Sequence, residues 1–345
     1  MLKLKHILIT LLFFTITLAG CSKPSQEPVS ISSFKLNTVI HITLYDTFDP
    51  QLLQDCVDFL DRYELLFSRT NPESELYQLN HGTLTSKEHG AVLSEETIEL
   101  IHAGIDYSKL SEGRFDISMA PLTDLWDFTA SSPKVPSDRD IQRAASLVNY
   151  KDITFSQNRL YFNKENMGID AGAIAKGFIA DKIKEYLVSK GVKSAIINLG
   201  GNVLCIGQRP DGHPFKIGIQ KPFANRKDTI ATLDITDKSV VSSGIYERYF
   251  QQDGKLYHHI LNPETGYPYD NDLAEVTIIT DKSVDGDGLS TCCFALGLEE
   301  GMDLVNSLDH TDGIFITKDG KIYYSDGLAE KYNLTFTKET MPPAS

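Results

Sequence analysis

The alternation of apolar and polar positions predicts a mixture of strands and helices in the first half of the chain. Asn37 to Tyr45 alternates as a strand does, and Pro50 to Phe67 repeats apolar residues at three- and four-residue spacing, as an amphipathic helix does. Further helices are predicted over Glu95 to Ser111, over Asp138 to Val148, and from about Ala173 until a glycine ends the pattern.

The second half is dominated by short apolar strands, with one more helix from Leu289 to Leu308. Asp253-Gly254 and Asp319-Gly320 are typical of hairpin turns because both residue types tolerate positive φ. Helices and antiparallel strands in segregated runs predict an α+β fold. The predicted strands are Ile153 to Phe155, Arg159 to Phe162, Ser194 to Asn198, Phe215 to Gln220, Ile230 to Ile235, Ser239 to Ser242, Tyr246 to Gln251, Lys255 to Leu261, Thr277 to Thr280, Gly313 to Thr317 and Ile322 to Tyr324.

The N-terminus predicts export and lipid anchoring. Lys3 and Lys5 precede an apolar run too short to span a bilayer, which is typical of a signal peptide. The run ends in Leu-Ala-Gly-Cys21, which resembles a bacterial lipobox; the alternative is an ordinary secretory signal with a chance cysteine. We therefore expect a signal peptide over residues 1–20, acylation of Cys21, a flexible tether over 21–33, a folded domain over 34–337, a short tail over 338–345, and a position on the extracytoplasmic face of the membrane.

The composition limits the classes of partner that the protein is expected to bind. A formal charge of −14 disfavours sequence-independent nucleic-acid binding, and 41% hydrophobic residues are ample for a core. The remaining cysteines show no CxxC spacing and no nearby histidine at metal spacing, so zinc is not indicated and buried thiols are the preferred interpretation. Small molecules and proteins are the expected partners.

The stretch from Asp170 to Gly177 is the first candidate site. Small residues at a helix start leave backbone groups open to a ligand, and such a turn can hold a phosphate. Lys176, one turn into the helix, could reach the same anion. The structural alternative makes Asp170 the N-cap and Lys176 a solvated side chain.

The stretch from Asp285 to Thr291 is the second candidate. Asp287 and Thr291 are four residues apart at a predicted helix start, so they share a face and offer a carboxylate and a hydroxyl, oxygen ligands that Mg²⁺ prefers beside a diphosphate. A helix N-cap is the alternative. An EF-hand is excluded because its twelfth position would be Leu296, and no dinucleotide fingerprint, P-loop or GxSxG motif is present.

Two adjacent histidines lie in a third polar stretch that runs on from Ser243. Neighbouring residues on a strand face opposite sides, so at most one of His258 and His259 points into a given cleft. We predict that His259 does so; a hydrogen-bonded structural histidine is the alternative.

Together these stretches resemble the ApbE family of FAD:protein FMN transferases, from about Leu36 to Gly297. Several ordered motifs at family spacing are more specific than any single one. The motifs are Ser74-Glu75-Leu76 with Leu79-Asn80, Gly113 to Asp116 with Pro121-Leu122 and Leu125-Trp126, Asp170 to Gly177, Asn198 to Asn202, Ser243-Gly244 with Tyr246, His259-Ile260 with Pro263 and Thr265-Gly266, and Asp287 to Thr291.

The resemblance implies a single domain of antiparallel sheets with packed helices that uses FAD as a substrate and Mg²⁺ as a cofactor. It implies that Asp170 and Lys176 contact FAD, and that the Ala173 carbonyl, the Asp287 carboxylate and the Thr291 hydroxyl hold Mg²⁺. Catalysis would rest on Lys176, Asp287 and His259. The flavin and adenine pocket would be lined by Leu36, the backbone of Ser118, Met119 and Ala120, and the strand residues His259 and Ile260.

The implied reaction moves FMN from FAD to a threonine or serine of an exported or membrane redox protein, with AMP released. Water in place of the acceptor would give FMN and AMP, and a lipoprotein that only binds flavin is a third possibility. Two departures bear on this choice: the family's Met-Gly-Thr is here Leu36-Asn37-Thr38, and a frequent flavin-facing tyrosine is Thr70.

Overall fold

The computed structural model describes residues 27–84, 90–225 and 227–337. The helices of these segments are α1 (Pro50–Phe67), α2 (Glu75–Asn80), α3 (Glu95–Leu110), α4 (Ala120–Trp126), α5 (Asp138–Ala145), α6 (Ala175–Ser189), α7 (Ser283–Leu296), α8 (Leu298–Ser307) and α9 (Leu328–Lys331). The strands are β1 (Val29–Lys35), β2 (Thr38–Leu44), β3 (Ala91–Val92), β4 (Ile153–Ser156), β5 (Arg159–Phe162), β6 (Ser194–Leu199), β7 (Asn202–Gly207), β8 (Phe215–Gln220), β9 (Thr229–Ile235), β10 (Ser239–Gly244), β11 (Tyr249–Gln252), β12 (Lys255–His258), β13 (Leu273–Thr280), β14 (Asp312–Thr317), β15 (Ile322–Tyr324) and β16 (Thr335–Phe336).

An eight-stranded antiparallel sheet organises the fold, in the order β1-β2-β6-β7-β10-β13-β14-β15. Successive side chains on each strand point to opposite faces, so the sheet has two apolar faces to cover. Helices α1, α6 and α7 contribute to the main core on one face. The three-stranded sheet β16-β9-β8 packs on the other face, through a second core that includes Val240 and Ile279. The α+β prediction of antiparallel sheets with packed helices is confirmed.

Helix α1 shows how the apolar pattern dictates the packing. The Asp49 carboxylate accepts the Gln51 amide at 2.9 Å and so caps the helix start. The stripe that includes Cys56, Leu60 and Tyr63 is buried, and the Tyr63 ring meets the Phe178 ring of α6 edge-on at 6.1 Å. The prediction of Pro50 to Phe67 as an amphipathic helix is confirmed.

Several boundary predictions are wrong: β13 begins at Leu273 and not at Thr277, β11 begins at Tyr249 and not at Tyr246, and β12 ends at His258 and not at Leu261. Two further differences are larger. Residues Val29–Lys35, placed mostly in the flexible tether, form edge strand β1, because each of them pairs with β2. The single helix predicted from Leu289 to Leu308 is two helices, since Gly297 has φ 86° between them, and the first begins six residues earlier, at Ser283. Asp287 is therefore inside α7 and not at its start.

The predicted signal peptide, Cys21 and the 338–345 tail lie outside the described residues. Within the described segments, no helix combines the length and apolar character needed to cross a membrane. The cysteines in these segments are free and buried, as predicted, and burial raises the pKa of the Cys56 and Cys205 thiols to about 12. Such thiols are poor nucleophiles at neutral pH.

A buried carboxyl group lies inside the large sheet. Glu275 on β13 is fully buried; it accepts a hydrogen bond from the Tyr246 hydroxyl at 2.7 Å and one from the Thr277 hydroxyl at 3.0 Å. Burial, the dominant cause, raises the pKa of Glu275 from 4.5 to about 7. The folded chain therefore holds a proton on Glu275 at pH values where the unfolded chain has lost it.

This linkage predicts a pH-dependent cost in stability. As pH rises from about 4.5 to about 7, the unfolded chain binds fewer protons than the folded chain, so the free energy of unfolding falls, and the loss is complete above pH 7. Glu275→Gln removes this effect and keeps one oxygen for the Tyr246 hydroxyl. Melting temperatures measured from pH 5 to pH 8.5 should fall less in this variant than in the wild type or in the exposed control Glu264→Gln; parallel curves would contradict the prediction.

Candidate active site

The first candidate stretch forms a tight turn before α6. The Asp170 amide donates to the Ile117 carbonyl at 2.9 Å, and the Asp170 carboxylate accepts the Gly172 amide at 2.8 Å. Arg69 Nε lies 3.5 Å from the other Asp170 oxygen. The N-cap of α6 is Ile174, with no side-chain hydrogen bond. The alternative in which Asp170 caps the helix is therefore wrong, and Asp170 instead shapes the turn.

Asp287 joins the second stretch to the first. Its side chain is 3% exposed, Oδ2 accepts the Gly177 amide at 2.6 Å, and Oδ1 lies 3.5 Å from Lys176 Nζ. The N-cap alternative for Asp287 within its own helix is wrong, because the N-cap of α7 is Lys282. The two stretches, far apart in sequence, thus form one charged site at the start of α6.

One carbonyl oxygen beside this site, that of Ala173, has no hydrogen-bond partner in the part of the chain that the structure describes. In a regular helix the Gly177 amide would donate to the Ala173 carbonyl, four residues earlier. Here the amide donates to Asp287, and within the described segments the Ala173 carbonyl accepts no hydrogen bond. Backbone oxygen without a partner is available to a cation or a water molecule.

Thr291 lies one turn beyond Asp287 on the same helix, as the four-residue spacing requires. Its hydroxyl is 3.3 Å from the Ser243 hydroxyl, which is also 2.8 Å from that of Ser290. Ser243 belongs to β10, so the Thr291 hydroxyl contacts the large sheet. Both predicted metal-ligating side chains therefore lie on one face of α7, in the region where it meets α6 and the sheet.

The two histidines have different environments. His258 ends β12, is 3% exposed, and donates through Nε2 to the Tyr269 carbonyl at 2.9 Å; burial lowers its pKa to about 4. His259 is partly exposed, and its Nδ1 donates to the Arg248 carbonyl at 3.2 Å. The pKa of His259 is lowered to about 3. The largest cause is desolvation of the ring by the surrounding protein, the next is the positive charge of Arg248, and Lys176 has a smaller effect. His259 is therefore neutral at physiological pH, and its Nε2, an acceptor, has no hydrogen-bond partner among the described residues.

The predicted flavin-lining residues lie in three places, of which the turn that contains Leu36 is separate from the other two. The Ser118 hydroxyl is buried and occupied, donating to Asp116 at 2.6 Å and accepting the Asn149 amide at 2.8 Å. The Ser118 amide also donates to Asp116, at 2.8 Å, so neither group is available to a ligand. Met119 pairs with Gly168, which brings the 118–120 segment beside the Asp170 turn. Ala120 starts α4, and Ile260 is buried next to His259.

Leu36 lies in the turn between β1 and β2. Leu36 and Asn37 have φ values of 53° and 58°, a left-handed pair that fits a two-residue hairpin. Asn tolerates this conformation better than most residues, whereas a leucine there is strained. Among the described contacts, none connects Leu36 with Lys176 or Asp287.

Sequence reasoning missed three residues that hold the site. Asn80 makes paired hydrogen bonds to the backbone of Ile169, at 2.9 Å and 2.7 Å, and so supports the turn; it belongs to the Leu79-Asn80 motif, which by itself indicates no role for it. Arg69 pairs with Asp170 and gave no sequence signal. Asp181 accepts amides of α7. It lies four residues after Gly177, and this spacing, which places the two residues on one face of α6, was the only indication in the sequence.

Comparisons with known proteins agree on one family. A sequence model of the ApbE family matches residues 36–315. An FAD:protein FMN transferase of Klebsiella pneumoniae is 36% identical over 298 residues, covering 86% of this chain and 91% of the relative; one of Vibrio cholerae is 31% identical, covering 83% and 86%.

Solved structures agree with the sequence matches. The flavin transferase ApbE from Vibrio cholerae aligns with a TM-score of 0.78 and 27% identity, over 88% of this chain and 99% of that one. The ApbE protein from Thermotoga maritima aligns with a TM-score of 0.79 and 29% identity, over 87% and 97%.

Proposed function

Because the chain belongs to the ApbE family, we propose that it catalyses the reaction in its relatives' names, the transfer of FMN from FAD to a protein, and that it does so with Mg²⁺. The observation that carries the proposal is the placement of Asp287, with one oxygen on the Gly177 amide and the other facing Lys176. This arrangement puts a carboxylate, a cation and a helix start together, which suits a metal-bound diphosphate.

The donor atoms fit Mg²⁺. The Ala173 carbonyl, the Asp287 carboxylate and the Thr291 hydroxyl are hard oxygen donors, and the Ala173 carbonyl has no partner in the described segments. Within those segments no group of three His, Cys, Asp or Glu side chains could hold a metal. A site with one carboxylate leaves coordination positions for water and phosphate oxygens. When bound, the ion would act as a Lewis acid on the diphosphate.

The protein residues would divide the remaining work. A threonine or serine hydroxyl of the acceptor attacks the phosphorus on the FMN side, the P–O bond to the AMP side breaks, and AMP leaves with the bridging oxygen. Lys176 would balance the negative charge of the phosphates. We propose that the neutral ring of His259 accepts a hydrogen bond from the attacking hydroxyl at Nε2, since its Nδ1 proton is directed to the Arg248 carbonyl. Because its pKa is lowered to about 3, the hydroxyl proton finally passes to solvent.

Hydrolysis is the second candidate reaction, and Thr70 is the observation that favours it. Thr70 is exposed in the turn before α2, where family members often carry a flavin-facing tyrosine. Loss of an aromatic cover would admit water to the phosphorus, and the products would be FMN and AMP.

A product assay separates these reactions. The full chain, in detergent with FAD and Mg²⁺, is co-incubated with a membrane redox protein that carries a flavin-accepting threonine. We expect AMP in equal amount to flavin fixed covalently on the acceptor, seen as in-gel fluorescence, and no turnover with EDTA. Formation of AMP with an equal amount of free FMN would show that the enzyme hydrolyses FAD and does not transfer FMN. Unchanged FAD would contradict both the transfer and the hydrolysis reaction.

Lys176→Gln should lower kcat/KM for FAD by about 10- to 100-fold, because a charge-assisted contact to phosphate is lost. Steady-state kinetics at saturating Mg²⁺ tests this. The matched control is Lys184→Gln, which removes the same charge from α6 at a side chain paired with Asp237 at 2.9 Å. If the two substitutions lower kcat/KM equally, Lys176 does not contact the phosphates.

We further propose that acylated Cys21 holds the protein on the extracytoplasmic face of the membrane, where it meets exported or membrane-bound acceptors. The support is the lipobox-like sequence that ends at Cys21. Metabolic labelling with palmitate should mark the wild type and fail to mark Cys21→Ala, which should move from the membrane fraction to the soluble one. A labelled variant would contradict the proposal.

A further inference from the structure

Helices α6 and α7 both begin without a cap of their own. Their N-cap residues, Ile174 and Lys282, make no side-chain hydrogen bond to the helix. The first backbone amides of a helix have no partner within it, and a buried unpaired amide is costly. The Ala175 amide of α6 donates to the Ala171 carbonyl of the preceding turn at 2.8 Å, whereas the Gly177 amide and the first two amides of α7 need acceptors from elsewhere.

Each helix supplies the acceptor for the other. Asp287 of α7 accepts the Gly177 amide of α6, and Asp181 of α6 accepts the Ser283 and Val284 amides of α7 at 2.8 Å and 2.9 Å, one on each oxygen. In each helix the donor and the acceptor residues are about one turn apart. Asp181 and Asp287 thus form a reciprocal cap, which ties the position of Asp287 to that of Asp181.

The contact between the two helices is backbone against backbone. A Cβ on Gly177 would lie 2.2 Å from the Ser283 carbonyl oxygen. The Ser283 hydroxyl donates to the Asn202 side chain at 2.7 Å and accepts from Ser239 at 2.9 Å, so the start of α7 is also fixed to the sheet. Because Asp287 lies about one turn from Ser283 on the same helix, a displacement of the α7 start would also move the Asp287 carboxylate.

We propose that Asp181 is a positioning residue for the divalent cation and diphosphate site. By holding the first two amides of α7, it sets where the Asp287 carboxylate stands relative to Lys176 and the Ala173 carbonyl. The inference rests on the proposed function, because it assigns Asp181 to the same site. Residues that orient a metal ligand from outside the coordination sphere commonly change metal affinity when they are replaced.

Asp181→Asn tests the proposal, because an amide group offers one acceptor oxygen where the carboxylate offers two. We expect about a tenfold rise in the Mg²⁺ concentration needed for half-maximal FAD cleavage. A second readout is binding: the same rise should appear when Mg²⁺ is titrated into protein with FAD and flavin fluorescence is followed. Glu185→Gln is the matched control, since it removes an exposed carboxylate from α6 about one turn further on.

The outcomes are distinct. If Asp181→Asn lowers the melting temperature but has the Mg²⁺ dependence of Glu185→Gln, Asp181 is only structural and the proposal fails. If Asp181→Asn does not fold, Asp181→Glu decides: we expect weaker Mg²⁺ binding than in the wild type, since the longer side chain displaces the carboxylate, and an unchanged affinity overturns the proposal. A wild type that leaves FAD intact with Mg²⁺ would instead overturn the proposed function.

Discussion

Asp287→Ala is expected to abolish Mg²⁺-dependent cleavage of FAD, with kcat/KM reduced about a thousandfold or more. Asp287 provides the charged oxygen of the proposed metal site, and its Oδ1 is not held by any backbone amide in the described segments. With alanine at this position, Lys176 loses the carboxylate it faces, and the proposed metal site retains only neutral oxygen ligands. Removal of the charge should therefore remove most of the metal affinity as well as the rate.

The same substitution also removes the cap of the Gly177 amide, which costs about 1 kcal/mol of stability. Asp287→Asn separates the two effects, since its oxygen can still accept that amide while the charge is gone. Both variants should be inactive at any Mg²⁺ concentration, and the asparagine variant should keep a melting temperature closer to that of the wild type.

Asp285→Asn is the control for position and charge. It removes a carboxylate two residues away on α7 and keeps an oxygen for the Tyr107 hydroxyl, which Asp285 accepts at 2.6 Å. It should remain active. Turnover of the Asp287→Ala variant within tenfold of the wild type would refute the proposed metal site.

Gly177→Ala is expected to destabilise the fold and inactivate the site together. Glycine to alanine inside a helix ordinarily stabilises by roughly 0.5–1 kcal/mol. Here the added Cβ would lie 2.2 Å from the Ser283 oxygen and 2.7 Å from the Val284 Cα, both backbone atoms that no side-chain rotation can move. We expect a net loss of about 3 kcal/mol in the free energy of unfolding.

Denaturant unfolding measures the stability, and FAD cleavage at a temperature where the variant is folded measures the site. Separation of α6 from α7 should move Asp287 away from the Gly177 amide and from Lys176, so kcat/KM should fall about 100-fold even in the folded fraction. Ser189→Ala, at the exposed end of α6, controls for an alanine added to this helix. A Gly177→Ala variant at least as stable as the wild type would contradict the observed contact.

Much of the fold was predictable from local patterns. The start and end of α1 and of several strands follow from apolar periodicity, and Asp253-Gly254, with φ values of 51° and 77°, forms the turn its sequence indicates. The boundary of α7 was not predictable in the same way. Its first turn has no local cap, and the acceptor that allows it to start at Ser283 is Asp181, about a hundred residues earlier.

For the candidate site, too, some features were predictable from the sequence and others only from the tertiary structure. The sequence by itself determined the α+β class, the family resemblance and the identity of the oxygen and nitrogen donors in the Asp170–Gly177 and Asp285–Thr291 stretches, because residue type and short spacing carry that information. Only the tertiary structure decided that Asp287 caps the neighbouring helix, that the Ala173 carbonyl is thereby freed, and that Asp181 completes the exchange. These facts depend on two helices meeting without a side chain between them at Gly177, a contact between distant segments that no local pattern encodes.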